Sequence, residues 1–178
     1  MQQAYHHRIR RFLLHLGMLL FLWAGAAEAH DVNIPMIIDT DGAVDDLRAI
    51  TMLINAGMTD IRLIATSDGA VSPETGGASV MRLIGALDRE DIAVAAGREL
   101  PMEPPPFRKT SENLAWPGDP GKASPAPKSA HTAAEAIAEA LEAAEEKSII
   151  YFCLGPMTNL ADVLTIDPAL GSRIFRVV

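Results

Sequence analysis

Four carboxylates fall within eight residues in the run Asp39-Thr40-Asp41-Gly42-Ala43-Val44-Asp45-Asp46. The run follows directly on Ile34-Pro35-Met36-Ile37-Ile38, an apolar segment that reads as a buried strand. In extended backbone Asp39 and Asp41 fall on the same side. Asp45 and Asp46 open a helix, where free amides and the macrodipole favour negative charge. Gly42 and Ala43 let the chain turn tightly between the two pairs. Carboxylates this close repel one another, so a cation is expected among them. Hard oxygen donors suit calcium or magnesium rather than zinc. The alternative is an acidic turn and helix start with no metal.

The elements that carry this cluster alternate. After the first strand, Asp45 to Ala56 reads as a helix with Gly57 as its stop. Ile61–Thr66 is a second strand. Pro73 suits a helix first turn, and Val80, Leu83, Ile84 and Leu87 mark one face of that helix. Ile92–Ala96 is a third strand. Thr132-Ala133-Ala134-Glu135 fits a capping box that starts an Ala/Glu-rich helix running to about Glu146, with a solvated acidic face. Ser148–Cys153 is a fourth strand, Thr158 to Leu164 starts a helix, and Arg173–Val178 begins a fifth strand. Strands separated by helical patterns imply an α/β fold with a doubly wound, mostly parallel sheet. Ligands in such sheets bind beyond the carboxyl ends of the strands, which directs attention to the loops after Ile38, Thr66, Ala96 and Cys153. Between these units, residues 101–130 hold eight of the 12 prolines and no periodicity, and read as a long surface loop.

The 178 residues carry a net charge of −8, which leaves no basic face for nucleic acid. One cysteine, Cys153, precludes an intrachain disulfide, and its apolar strand context reads as packing. Arg8, Arg10 and Arg11, an apolar stretch over residues 12–27, and Ala27-Glu28-Ala29 form the pattern of a secretory signal peptide cut after Ala29. The stretch is short for a retained membrane anchor. Residues 1–29 are thus read as the signal and 30–178 as the folded domain, periplasmic or secreted, with no stable membrane span. Removing three arginines and one glutamate from 15 basic and 23 acidic residues leaves a net of −10.

The run from Ile37 to Asp46 resembles the amino-terminal signature of the inosine-uridine-preferring nucleoside hydrolases. A second run, Leu154-Gly155-Pro156-Met157-Thr158-Asn159-Leu160-Ala161, resembles that family's loop after a later strand, and Asp167-Pro168 also fits. The resemblance covers residues 33–178, the amino-terminal half of the family's domain. It implies hydrolysis of the N-glycosidic bond of ribonucleosides with one bound calcium. By that resemblance Asp41, Asp46 and the main-chain carbonyl of Leu154 are calcium ligands. Asp41 is also the general base, Asp45 accepts a hydrogen bond from a ribose hydroxyl, and Asp39 orients its neighbours from behind the ligands. The partner is a small ribonucleoside, and homo-oligomers are common in the family.

The sequence departs from the family in three places. Gly42-Ala43 stands for the usual Pro-Gly. Ser72 falls where an asparagine near the sugar is expected, and either keeps a ribose contact or merely caps the helix ahead of Pro73. The carboxyl-terminal half, with a further calcium-binding aspartate and contacts to the base, is missing, so the chain reads as truncated and its turnover as impaired. His131 reads as a loop residue beside a helix cap. Two other functions compete. Asp39-Thr40-Asp41-Gly42 also fits the first motif of haloacid-dehalogenase-like, magnesium-dependent phosphatases, but that family gives Asp45-Asp46 and the 155–161 run no role. A secreted riboside-binding remnant without catalysis is the non-enzymatic alternative.

Overall fold

The computed structural model describes residues 33–113 and 131–178. The expected signal peptide, and residues 114–130 of the proline-rich stretch with Trp116, lie outside them.

Five strands make one parallel sheet: β1 (Ile34–Thr40), β2 (Thr59–Thr66), β3 (Ala93–Ala96), β4 (Ile149–Cys153) and β5 (Ile174–Val177). Their order is β3-β2-β1-β4-β5. The helices are α1 (Val44–Ala56), α2 (Pro73–Ala86), α3 (Arg108–Glu112), α4 (Ala133–Glu142) and α5 (Thr158–Ile166), with a 3₁₀ turn over Pro168–Arg173 before β5. The doubly wound parallel architecture is therefore present as expected.

The two-residue period of β1 feeds two cores. Ile38 joins Ile50 and Val80 in the layer under α1 and α2, while Ile37 joins Ile137 and Tyr151 in the layer under α4 and α5. Both isoleucines are wholly buried, each contributing about 1.5–3 kcal/mol of hydrophobic stabilisation. Burial on both faces is why β1 is a continuous apolar run rather than an alternating one. Pro35 sits in this central strand at little cost. The β1–β4 ladder begins only at Met36, and the β1–β2 register shifts between Met36 and Ile37, so Pro35 precedes the strand's fully paired stretch.

Local signals act where the sequence places them. Gly57 closes α1 in the left-handed region (φ 63°) and donates to the Ile54 carbonyl. Thr132 and Glu135 form the reciprocal capping box of α4. Several boundaries differ from expectation. β1 extends two residues further, through Asp39 and Thr40. α4 stops at Glu142, and the Ser148 hydroxyl donates to the Glu145 carbonyl in the turn that follows. The stretch read as loop throughout contains α3, one short helix whose first residue, Arg108, donates to the Gly69 carbonyl.

Candidate functional site

The strand order reverses beside β1: the chain runs outward from it through β2 and β3, then returns to its other edge as β4. A crevice opens at such a switch point because the loops on either side diverge. The two loops flanking it here are the acidic run after β1 and the Leu154–Asn159 run after β4.

Asp39 is the innermost carboxylate. It lies within β1, opposite Ala65 of β2 and Cys153 of β4, and is wholly buried. The Tyr151 hydroxyl donates to its Oδ2 at 2.6 Å, and Asn159 Nδ2 donates to its Oδ1 at 3.0 Å. Asn159 also donates to the Thr66 carbonyl at 3.1 Å, tying α5 to β2. The buried Ser67 hydroxyl faces Asp39 without a well-formed hydrogen bond. Burial outweighs these donors and pushes the Asp39 carboxyl up to about 6. Burial first, and the Asp39 charge second, raise the Tyr151 hydroxyl and the Cys153 thiol.

Thr40 points the other way. Its hydroxyl donates to Asp46 Oδ2 at 2.7 Å and accepts from the Gly42 amide at 3.0 Å, so one side chain fixes both the turn and the first-turn carboxylate of α1. Gly42 is required there. Its φ is +73°, and a Cβ would stand 2.8 Å from both Gly76 Cα and Val71 Cγ2. Burial, then the neighbouring Asp41 and Asp45 charges, raise the Asp46 carboxyl to about 7 against the lowering effect of Thr40. Asp45 is exposed on the same turn.

Asp41 is held at the mouth of the turn. Its Oδ2 accepts from the Ala70 amide at 2.9 Å, its Oδ1 from the Ala43 amide at 3.3 Å, and its carbonyl from the Val71 amide at 3.2 Å. From the other side, Gly155 packs so closely that a Cβ would lie 2.8 Å from the Asp41 nitrogen. The Leu154 amide donates to the Asp39 carbonyl at 2.7 Å, and its own carbonyl takes no hydrogen bond among the described residues.

Five of the six expected site residues therefore gather at the ends of β1 and β4: Asp39, Asp41, Asp45, Asp46 and Leu154. The sixth, Ser72, lies at the start of α2. Its hydroxyl caps that helix, accepting from the Thr75 amide at 3.3 Å and donating to the Thr75 hydroxyl at 2.8 Å. Sequence reasoning gave no role to Thr40, Tyr151, Asn159 or Arg108. Thr40 and Asn159 stand inside the quoted motifs, so a polar residue in a buried strand or helix face was the available signal. Tyr151 reads as an ordinary core aromatic, and Arg108 carries no signal at all.

The donor set fits a hard cation. Asp41 and Asp46 stand together, and none of the ion pairs among the described residues reaches them: Arg62–Asp60, Arg89–Asp91, Arg98–Asp162 and Arg108–Asp68 all lie elsewhere. No three His, Cys, Asp or Glu side chains converge among the described residues; of the expected donors, the Asp41 and Asp46 carboxylates interact and the Leu154 carbonyl takes no hydrogen bond among those residues. These are calcium- or magnesium-type donors, with water and substrate free to supply the rest. No helix among the described residues is long and apolar enough to cross a membrane.

Both the sequence and the fold have counterparts among known proteins. The sequence profile described as inosine-uridine preferring nucleoside hydrolase matches residues 36–178. A curated relative, the pyrimidine-specific ribonucleoside hydrolase RihA of Escherichia coli O1:K1, is 34% identical over 151 residues, covering 82% of this chain and 47% of the relative. The chain thus spans about half the length of the curated relatives it matches. A plant nucleoside hydrolase, PpNRh1, shares the fold with a TM-score of 0.70 at 24% identity over 82% of this chain and 46% of that structure. A purine-preferring ribonucleoside hydrolase from Gardnerella vaginalis does so at 0.69 and 22%, over 81% and 47% respectively.

Proposed function

The chain belongs to the inosine-uridine preferring nucleoside hydrolase family, and from that premise we propose that its site serves calcium-dependent hydrolysis of ribonucleosides to ribose and free base. The observation that carries this reading is the meeting of the two signature loops at the β1/β4 switch point, with Asp39 locked between Tyr151 and Asn159 beneath them.

Asp41, Asp46 and the Leu154 carbonyl are the residues to hold calcium. When bound, the ion supplies a positioned water of lowered pKa and a grip on the ribose diol. Asp41 would serve as general base toward the attacking water, whose oxygen bonds to the anomeric carbon while the bond from that carbon to the base nitrogen breaks; the electron pair leaves with the base, which takes up a proton from solvent. Asp45, exposed at the start of α1, accepts from a ribose hydroxyl. The clustered negative charge favours the positive character that develops on the sugar. Asp39 takes no part in proton transfer; its two donors hold β1 against β4 and α5, and so fix the loop that carries Asp41. Ser72, if it contacts ribose, does so while capping α2. The signal-peptide pattern supports export to the periplasm or beyond.

The test is base release from uridine and inosine, with calcium and with chelator. Release that needs calcium and vanishes in Asp41→Asn supports the reading. Calcium-independent release, or phosphate release from phosphomonoesters by the same carboxylates, overturns it.

A further inference from the structure

Asp41 owes its orientation partly to the turn after β2, because the Ala70 amide donates to Oδ2 and the Val71 amide to the Asp41 carbonyl. That turn is itself short of internal support. It contains one backbone hydrogen bond of its own, from the Gly69 amide to the Val71 carbonyl at 3.3 Å. Gly69 lies so near Asp41 that a Cβ there would stand 2.4 Å from Oδ2, so only glycine leaves room for the carboxylate beside this turn.

What braces the turn comes from the segment after β3. Arg108 Nη2 approaches Asp68 Oδ1 at 2.5 Å, an ionic contact outside hydrogen-bond alignment. Nη2 and Nε also donate to the Gly69 carbonyl at 2.7 and 3.1 Å. Asp68 Oδ2 accepts from the Leu100 amide at 2.7 Å. The side chains of Arg108 and Asp68 are only 13% and 5% exposed, whereas the other three ion pairs among the described residues each have a partner at least half exposed. A buried guanidinium with fork geometry is suited to fixing a carbonyl and a carboxylate at once, which an ammonium cannot reproduce.

We propose that Arg108 is a positioning residue for Asp41: bound to Asp68 and to the Gly69 carbonyl, it holds the 68–71 turn so that the Ala70 amide meets Asp41 Oδ2. The inference rests on the reading of Asp41 given above for its functional meaning, but not for its structural content. It also gives the proline-rich segment a task, since its Arg108 holds Asp68 and Gly69 while Leu100, just ahead of it, donates to Asp68.

The experiment is amide hydrogen exchange on the metal-free chain, followed by calcium titration calorimetry, for wild type, Arg108→Ala, Arg108→Lys and Asp68→Asn. Arg98→Ala, which breaks an exposed pair elsewhere, is the control. In Arg108→Ala the Ala70 amide is expected to exchange about tenfold faster while core amides such as Ile50 are unchanged. Calcium affinity should fall by a similar factor. Arg108→Lys should restore part of both, because it keeps the charge and loses the fork. If Arg108→Ala fails to fold, the lysine and Asp68→Asn variants decide the matter by the same two readouts. Unchanged Ala70 exchange and unchanged calcium affinity in the folded variants overturn the proposal. A wild type that binds no calcium defeats the functional reading instead, and the Ala70 exchange still judges the positioning.

Discussion

Tyr151 and Asp39, on neighbouring strands, share the shortest hydrogen bond of the site: the phenol donates to Oδ2 at 2.6 Å between two wholly buried side chains. Removing that donor leaves a buried carboxylate oxygen with nothing in its place. Tyr151→Phe should cost about 1–3 kcal/mol of stability by urea unfolding, more than a Phe152→Tyr change on the same strand, because an unmet buried acceptor bears its full desolvation cost.

The cation should hold two carboxylates that otherwise repel. Asp46→Asn keeps an acceptor for the Thr40 hydroxyl and so keeps the local fold. It should nevertheless lower calcium affinity by at least about tenfold in calorimetry, consistent with loss of a charged ligand. Wild-type affinity in this variant would remove Asp46 from the ligand set.

Stability without metal should fall as pH rises. The Asp39 and Asp46 carboxyls are raised from 3.8 to about 6 and about 7, so the folded chain binds protons that the unfolded chain has released. Their contribution is complete below about pH 4 and is lost as pH climbs through about 6 and then about 7. The lowered surface acids, Asp91, Asp162 and Glu135, act on the acid side of that window. In chelator, Tm should therefore be higher at pH 5 than at pH 8, and calcium should raise it far more at pH 8 than at pH 5. A Tm that rises with pH in chelator would contradict the assignment.

Two glycines should separate site from scaffold. Gly155→Ala places a methyl 2.8 Å from the Asp41 nitrogen and from Ser67 Oγ, so calcium affinity and stability should drop together. Gly57→Ala meets nothing within 4 Å and only strains a left-handed helix end. It should cost about 1 kcal/mol and leave calcium binding as it was.

The alternation of elements was legible because β1 and β2 are buried on both faces and α1, α2, α4 and α5 each bury one. The acidic run could be read as chemistry because four neighbouring carboxylates are costly without a cation, whereas the 154–161 run was legible only through its resemblance to the family's loop. Partners were harder to read. That Tyr151 and Asn159 both serve Asp39 depends on β4 lying against β1, and local patterns do not encode strand order. Arg108 was hidden because its segment has no periodicity, and the partners of its side chain among the described residues are thirty-nine and forty residues earlier. Ser72 shows the limit from the other direction. A serine before Pro73 suits a helix cap and a sugar contact equally in sequence, and the fold gives its hydroxyl the cap.

The ties on Asp39 also set an order of events during synthesis. Its two side-chain donors stand 112 and 120 residues downstream. At about 5–20 residues per second, a ribosome releases Asp39 roughly 6–24 seconds before Asn159. Through that interval the carboxylate lacks both donors, and burying it would carry its full desolvation cost. The crevice cannot be assembled piecemeal from the amino terminus. It closes only when α5 arrives, so a translational pause between β3 and α4 would prolong the stage in which this sheet has its central strand but not its lock.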